Sequence, residues 1–247
     1  MRKNLTLNRP IFTQQVFRST ALTVLTSLFQ RLPDAGNYDL IVRRDGVVVA
    51  HTSICAQESG CGSQTNIDLA KIDPPEGGYK VDAGGMIGFF VSEGGGSYTV
   101  RITQVGEQEK RVILDNAESI SEGAVFAVTL LRPGDYIMRT LNGRSRGKIN
   151  LRLPDDNDRK KGYRPSEAAM IEVDGKGNFK PNEAKLLTGQ SLVFVCNAPV
   201  QLEVAFSGER EEKPRVPRPP KLTYGRRPTT PTPRKPRKPG KSDKRDK

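Results

Sequence analysis

Residues 40–49 read LIVRRDGVVV, with an apolar run on each side of Arg43-Arg44-Asp45-Gly46. An Asp-Gly pair between two apolar runs supplies the positive φ angles that a tight hairpin turn requires. The stretch therefore predicts two antiparallel strands that are joined at Asp45-Gly46. It sets the fold class for the segments that follow.

The same two-residue period recurs outward along the chain. Apolar residues alternate with polar ones over 98–103, 148–153 and 201–206, and Gly- and Pro-rich joints such as 74–78 and 94–96 separate these segments. The run 125–131 is almost continuously apolar, which predicts a strand covered on both faces. Many short strands with turn signals between them indicate an all-β protein. We expect one or two β-sandwich units of Greek-key type over 34–208, with a candidate internal boundary in the charged segment 154–165.

One part of this domain resembles a known family. LLRPGDYIMR (130–139) followed by RGKINL (146–151) resembles the closing hairpin of cupredoxin-like sandwiches, and NFKP (178–181) through GQSLVF (189–194) is similar to that family's opening strands. The resemblance covers about 118–153 and 178–206. It implies copper ligands at three positions that hold Thr140, Gly143 and Ser145, whereas copper sites of that kind need soft thiolate and imidazole ligands. The resemblance therefore implies a sandwich without the metal, and we expect no cofactor.

Residues 1–33 contain five basic residues and no acidic one. Leu22, Leu25 and Phe29 are spaced for one face of a helix, which Leu32-Pro33 would end. A surface helix or arm, an organelle-targeting segment, and an export signal or membrane-surface helix are all consistent with this composition. No apolar run reaches the ~18–20 residues of a membrane span. An intracellular location is favoured, with export and organelle targeting as alternatives.

The charge of the chain is divided unevenly. Residues 213–247 hold 14 of the 40 Lys and Arg but only 2 of the 28 Asp and Glu, which leaves 26 of each sign in residues 1–212. Half of the 18 prolines also lie in this segment, with few apolar side chains. Such a composition cannot bury enough surface to offset its ordering entropy. We therefore predict a disordered tail over 209–247.

A tail of this composition can bind a polyanion, present a polyproline ligand to a partner, or act as a spacer. Polyanion binding, for example to nucleic acid or an anionic surface, is the leading interpretation. The cations assigned to it are Arg215, Arg218, Lys221, Arg226, Arg227, Arg234, Lys235, Arg237, Lys238 and Lys241. Arg144, Arg146 and Lys148, on the hairpin loop of the β domain, would extend the basic surface onto the folded part, a solvated turn being the alternative.

The only histidine and two of the three cysteines lie close together in HTSICAQESGCG (51–62). His51, Cys55 and Cys61 lack the second ligand pair of a zinc site, so we predict no metal. A Cys55–Cys61 disulfide would be easy to form if the chain is exported. Cys196 lies in an apolar run and is predicted to be a core thiol, and His51 an imidazole at the edge of the core.

Other candidate motifs fail, and no catalytic residues emerge. GRSRGK (143–148) is one residue short of a phosphate loop, and Lys176 stands where a calcium loop needs an oxygen ligand. We therefore expect a non-enzymatic binding or assembly protein. Its β domain would contact a protein partner or a second copy, and its tail a polyanion. The alternatives are an exported envelope or particle structural protein with the tail as a spacer, and a small metal- or thiol-dependent enzyme.

Overall fold

The computed structural model describes residues 10–58, 63–106, 109–155 and 167–209. Within these ranges the chain is nearly all β-structure, with one short α-helix and one 3-10 turn. The elements in chain order are α1 (Pro10–Thr13), β1 (Val16–Arg18), β2 (Thr26–Arg31), β3 (Gly36–Arg44), β4 (Val47–Gln57), β5 (Gln64–Asp68), η1 (Leu69–Lys71), β6 (Tyr79–Asp82), β7 (Met86–Phe90), β8 (Tyr98–Val105), β9 (Lys110–Asp115), β10 (Val125–Thr129), β11 (Gly134–Thr140), β12 (Arg146–Arg152), β13 (Ala169–Val173), β14 (Phe179–Lys180), β15 (Glu183–Leu187), β16 (Ser191–Cys196) and β17 (Leu202–Gly208).

The strands form three sheets. The N-terminal sheet has the order β6-β4-β3-β8-β9, and the C-terminal sheet has the order β1-β17-β11-β12-β15. The central sheet has seven strands in the order β14-β13-β16-β10-β2-β7-β5. The all-β prediction is confirmed. The Greek-key sandwich is not confirmed. Two similar sets of strands lie next to each other and share the continuous central sheet, which gives a solenoid-like arrangement.

The hairpin predicted from 40–49 is present. Strands β3 and β4 pair as antiparallel neighbours on either side of Asp45 (φ 51°) and Gly46 (φ 86°), which both adopt the left-handed conformation of a primed turn. The Asp45 carboxylate fixes the turn by accepting hydrogen bonds from the amide and the hydroxyl of Ser97 at 2.9 and 3.0 Å. The backbone bond from Asp45 N–H to the Ser97 carbonyl, at 2.8 Å, completes this link to the start of β8.

The chain repeats its own strand pairing. The antiparallel pairs β2–β7, β3–β4 and β3–β8 recur as β10–β16, β11–β12 and β11–β17, and the parallel pairs β4–β6 and β5–β7 recur as β12–β15 and β13–β16. We call β2–β8 the first repeat and β10–β17 the second. The registers also agree, because Tyr38 lies opposite Ile54 in the first repeat as Tyr136 lies opposite Ile149 in the second.

Equivalent residues make equivalent contacts in the two repeats. The buried Tyr38 hydroxyl donates to the Asp34 carbonyl at 2.8 Å, and the buried Tyr136 hydroxyl donates to the Arg132 carbonyl at 2.7 Å, each four residues upstream. The β-strand that opens each repeat also follows a residue with positive φ, Leu25 (69°) in the first and Gly123 (78°) in the second.

The two repeats meet in the central sheet. Strands β2 and β10 pair there, with the fully buried Leu28 opposite Phe126, so an approximate two-fold axis passes through this pair. The strand preceding each repeat joins the outer sheet of the other, because β1 pairs with β17 and β9 pairs with β8. The crossing segments touch through buried Asn116, whose Nδ2 donates to the Ser19 carbonyl at 2.8 Å.

The N-terminal segment differs from its prediction. Among the described residues of this segment, only Pro10–Thr13 is α-helical, and the predicted helical face around Leu22, Leu25 and Phe29 is instead the strand β2 and its approach. The positive φ of Leu25 turns the chain and is incompatible with a right-handed helix. Leu22, Leu28 and Leu32 are completely buried, so residues 16–32 belong to the folded body rather than to an appended arm.

The run 125–131 contains β10, and the described residues bury only one face of this strand. Phe126 and Val128 are buried, while Val125 and Ala127 are partly exposed on the opposite face. The prediction of a strand covered on both faces is therefore wrong for the described residues of a single chain. Most of the candidate internal boundary, 154–165, lies outside the described residues and connects β12 to β13 within the second repeat.

Candidate polyanion interface

Strand β12 fixes the direction of two predicted cationic side chains. Gly147, Ile149 and Leu151 are buried beneath the C-terminal sheet, so Arg146 and Lys148 point to solvent. A larger residue at Gly147 would strain the sheet, because a Cβ atom there would overlap the Met138 side chain and the Asn182 carbonyl. Because the buried side chains fix which face of β12 packs on the core, they also fix which side chains point to solvent.

A row of charged residues crosses the outer face of this sheet. Arg18, Glu203, Arg139 and Arg146 occupy neighbouring positions on β1, β17, β11 and β12. Glu203 accepts from Arg18 Nε at 2.8 Å and from Arg139 at 2.7 Å. Burial alone would raise the pKa of Glu203, but these two guanidinium groups bring the pKa below its ordinary value. One carboxylate therefore anchors two arginines and leaves Arg146 without a partner of opposite charge in the row.

The rest of the face carries further cations. Lys148 lies opposite Glu183 on β15, and the next pair along is Asn150 opposite Lys185. Among the described residues, no ion pair involves Arg144, Arg146 or Lys148. The outward positions of the described strands bear six cations and three carboxylates, namely Arg18, Arg139, Arg146, Lys148, Arg152, Lys185, Asp135, Glu183 and Glu203.

The β11–β12 loop brings three guanidinium groups to one depression. An open depression of about 450 Å³ is lined by Arg139, Arg144 and Arg146 together with Leu141 and small or polar loop residues, and no carboxylate belongs to its described lining. The loop is closed by the Thr140 hydroxyl, which accepts from the Ser145 amide at 3.2 Å. The depression therefore offers charge-assisted donors to an anion such as a phosphate or sulfate group.

The copper positions implied by the cupredoxin-like resemblance fall in this same loop. Thr140 is buried, and Gly143 and Ser145 flank the depression. A hydroxyl, a glycine and a second hydroxyl do not supply the thiolate and imidazole that a copper site of that kind requires. These residues do not fit the metal.

The His51–Cys55–Cys61 cluster does not assemble in the described residues. His51 and Cys55 lie four residues apart on β4, about 13 Å along the strand, and Cys61 lies outside the described residues together with the predicted disulfide. The structure corrects the expected position of His51. A bulge opposite Val42 and Arg43 shifts the strand by one residue, so the imidazole is exposed on the outer face and is not at the core edge.

Cys196 is a core thiol, as predicted. It is fully buried in β16, and burial raises the pKa of its thiol to about 12. Over the described part of the chain, no three His, Cys, Asp or Glu side chains are grouped so that they could hold a metal ion. The same residues include no helix that is both long and apolar enough to cross a membrane.

The described residues include only part of the predicted polyanion surface. Arg144, Arg146 and Lys148 lie together, whereas the ten tail cations from Arg215 to Lys241 are outside the described residues. Sequence reasoning missed Arg139, although its alternation with the apolar Tyr136 and Met138 on β11 would have shown its direction. Arg18 and Lys185 could not have been found, because only strand pairing brings β1 beside β17 and β15 beside β12 on this face.

No protein-family model, curated protein or solved structure matches this chain.

Proposed function

We propose that this chain is a non-enzymatic binding and assembly protein whose β body contacts a protein partner or a second copy and which attaches to a polyanion such as nucleic acid. The observation that carries the proposal is the depression lined by Arg139, Arg144 and Arg146, which lies on a face with six cations and three carboxylates. These groups act by charge and hydrogen bonding, and neither requires a covalent bond to be formed or broken.

The form of the face favours an extended anion over a small one. Arg146, Lys148 and Arg152 alternate along β12, and every second residue of a strand advances by about 6.7 Å. A second open depression, of about 460 Å³ between Ile137 and Lys148, is of mixed charge, since Asp135 and Glu183 line it together with Lys148 and Lys185. A polymer of regularly spaced phosphates can engage several of these cations at once and release its condensed counterions.

The terminal segment adds charge of the same sign. Residues 213–247 carry a net +12 in the sequence, whereas residues 1–212 are neutral overall. The outer face of the C-terminal sheet would supply a fixed contact, and the segment would supply charge without sequence preference. Two attachments on one chain raise the effective concentration of each for the same polymer.

The proposal is tested by the salt dependence of binding to duplex DNA. We compare the full chain with a triple variant, Arg144→Gln, Arg146→Gln and Lys148→Gln, by fluorescence anisotropy between about 50 and 200 mM salt. The expected result is a log-log slope that is less steep by up to about 2.7, since each lost phosphate contact contributes about 0.9.

A matched control removes the same charge elsewhere. Lys80, Arg111 and Lys176 are exposed on other surfaces, and their simultaneous change to Gln should leave the slope close to wild type. A triple variant with an unchanged slope, or a control with an equal loss, would overturn the assignment of the face. Full-length protein that does not bind the polymer at low salt would overturn the proposal as a whole.

We propose further that each repeat is a cupredoxin-like Greek-key sandwich that lacks the metal. In support, Tyr38 and Tyr136 are each the third residue of a strand and donate to a main-chain carbonyl four residues upstream. Immunoglobulin-like sandwiches contain the same arrangement, which is called a tyrosine corner. The hairpin β11–β12, on which the resemblance rests, recurs as β3–β4 in the first repeat.

A further inference from the structure

The outer face of the central sheet is almost free of charge. The four strands in its middle, β16, β10, β2 and β7, direct twelve residues outward, of which only Arg31 is ionised, while the flanking strands add Glu172, Lys180 and Asp68. These residues are Ser191, Val193, Val195, Val125, Ala127, Thr129, Ser27, Phe29, Arg31, Met86, Gly88 and Phe90. The outer face of the C-terminal sheet, by contrast, is mostly charged. The central face therefore has the composition of a contact surface.

The described part of the chain does not pack these residues into its core. The core is formed by their neighbours on the same strands, such as Leu28, Phe89, Phe126 and Phe194. The outward apolar residues are partly exposed, and none belongs to the partly buried set that packs on that core. Strand β10 thus has two largely apolar faces, and the described part of the chain buries only the face that carries Phe126 and Val128.

The face has a ridge beside a depression. Phe29 and Val125 lie opposite each other in one row, and the smaller Ser27 and Ala127 lie opposite each other in the next. An open depression of about 430 Å³ lies over the smaller pair, with Phe90 also in its lining. A large row next to a small row is a shape that can fit a copy of itself.

We propose that the outer face of the central sheet packs against the same face of a second copy of this chain. The inference deepens the assembly part of the proposed function and rests on it, but it does not involve the cationic face. A half-turn about an axis between the two rows places Phe29 and Val125 of each copy over Ser27 and Ala127 of the other. Such a reciprocal contact is isologous, as in most homodimers.

The charges at the margin allow this arrangement. Asp68 on the edge strand β5 lies at one margin of the sheet, and Glu172 on β13 lies at the other, next to Lys180 on the edge strand β14. The half-turn places each acid at the edge of the partner face rather than over its apolar rows, so neither needs to be buried. Arg31 is also marginal, and its Nε donates to the Gly84 carbonyl at 3.0 Å.

The available area sets the expected strength. Seven strands about 4.8 Å apart and about 17 Å long give a face of about 570 Å², which buries on the order of 1,100 Å² in a dimer. This is the low end of specific interfaces. The dimer should therefore form at micromolar concentration and dissociate on dilution.

The test is the mass of the full chain by sedimentation equilibrium between about 1 and 200 μM, in high salt to suppress charge effects. Wild type should approach twice the 27.2 kDa chain mass at the upper end. Val193→Lys should stay monomeric. Ser27→Phe should also stay monomeric, because it fills the depression although it adds apolar surface. Circular dichroism and melting temperature verify that each variant is folded.

The control is Ile137→Lys, an outward strand position on the C-terminal sheet, which should dimerise as wild type does. Three results would overturn the proposal: a wild type that is monomeric at 200 μM, stronger association of Ser27→Phe, or loss of the dimer in Ile137→Lys. A monomer that binds uncharged phosphatidylcholine vesicles through Val193 would assign the face to lipid instead. DNA binding is measured at nanomolar protein, so failure of the dimer and failure of the polyanion proposal are distinguishable.

Discussion

Removing the two equivalent tyrosine hydroxyls should destabilise the protein equally and additively. Tyr38→Phe and Tyr136→Phe each delete one hydrogen bond from a buried hydroxyl to a turn carbonyl, at 2.8 and 2.7 Å, and keep the ring that fills the core. A neutral hydrogen bond of this kind contributes about 1 kcal/mol net. The two sites lie in different sheets and share no partner, so the double variant should lose about 2 kcal/mol. For a domain of this size, each single change corresponds to about 2–4 °C in Tm.

Urea unfolding followed by circular dichroism measures these differences, and calorimetry gives the Tm. Tyr79→Phe is the matched control, since Tyr79 is partly exposed and its hydroxyl has no hydrogen bond to the described residues, so its loss should cost less than about 0.5 kcal/mol. A full cost at Tyr38 with none at Tyr136 would refute the equivalence of the repeats. So would a double variant whose loss is far from the sum of the single losses.

Three further outcomes test the core and the buried charge. Gly147→Ala should lower the free energy of unfolding in urea by about 1–3 kcal/mol, because the new Cβ overlaps the Met138 side chain and the Asn182 carbonyl. Gly175→Ala, whose Cβ would make no close contact, should be nearly neutral. The pKa of Glu203 is lower in the folded state, so its stabilisation is present above the unfolded pKa and disappears as the pH falls through the folded value; Glu203→Gln should therefore be less stable than wild type at pH 6, and the difference should shrink at pH 3. Iodoacetamide at pH 8 should modify the partly exposed Cys55 in the native protein but Cys196, with a pKa of about 12, only after unfolding; equal rates would contradict the buried assignment.

The local β-structure could be predicted from sequence, because its signals are local. Asp45-Gly46 between apolar runs specifies a hairpin wherever the flanking strands find partners. The strand over 26–31 could not be predicted in the same way. Leu22, Leu25 and Phe29 also match the helical period, and only the turn at Leu25 and the pairing with β7 and β10 select the strand.

The repeat was not visible because equivalent positions differ in residue type and in spacing. Leu25 corresponds to Gly123, and Leu28 corresponds to Phe126, so each pair fills the same place with a different side chain. Loops of unequal length also change the number of residues between equivalent positions. This number is smaller for Tyr38 and Tyr136 than for Phe89 and Phe194. The candidate site depends on the same long-range pairing, which brings Arg18 beside Glu203 from opposite ends of the chain.

Lysine footprinting tests most directly whether a polyanion occupies the outer face of the C-terminal sheet. The full chain is labelled with an amine-reactive reagent, with and without saturating duplex DNA, and the labelling rates are compared by mass spectrometry. Lys148 and Lys185 should be protected, while the exposed Lys80 and Lys176 on other surfaces should keep their rates. Unchanged labelling of Lys148 and Lys185 in the bound state would contradict the account.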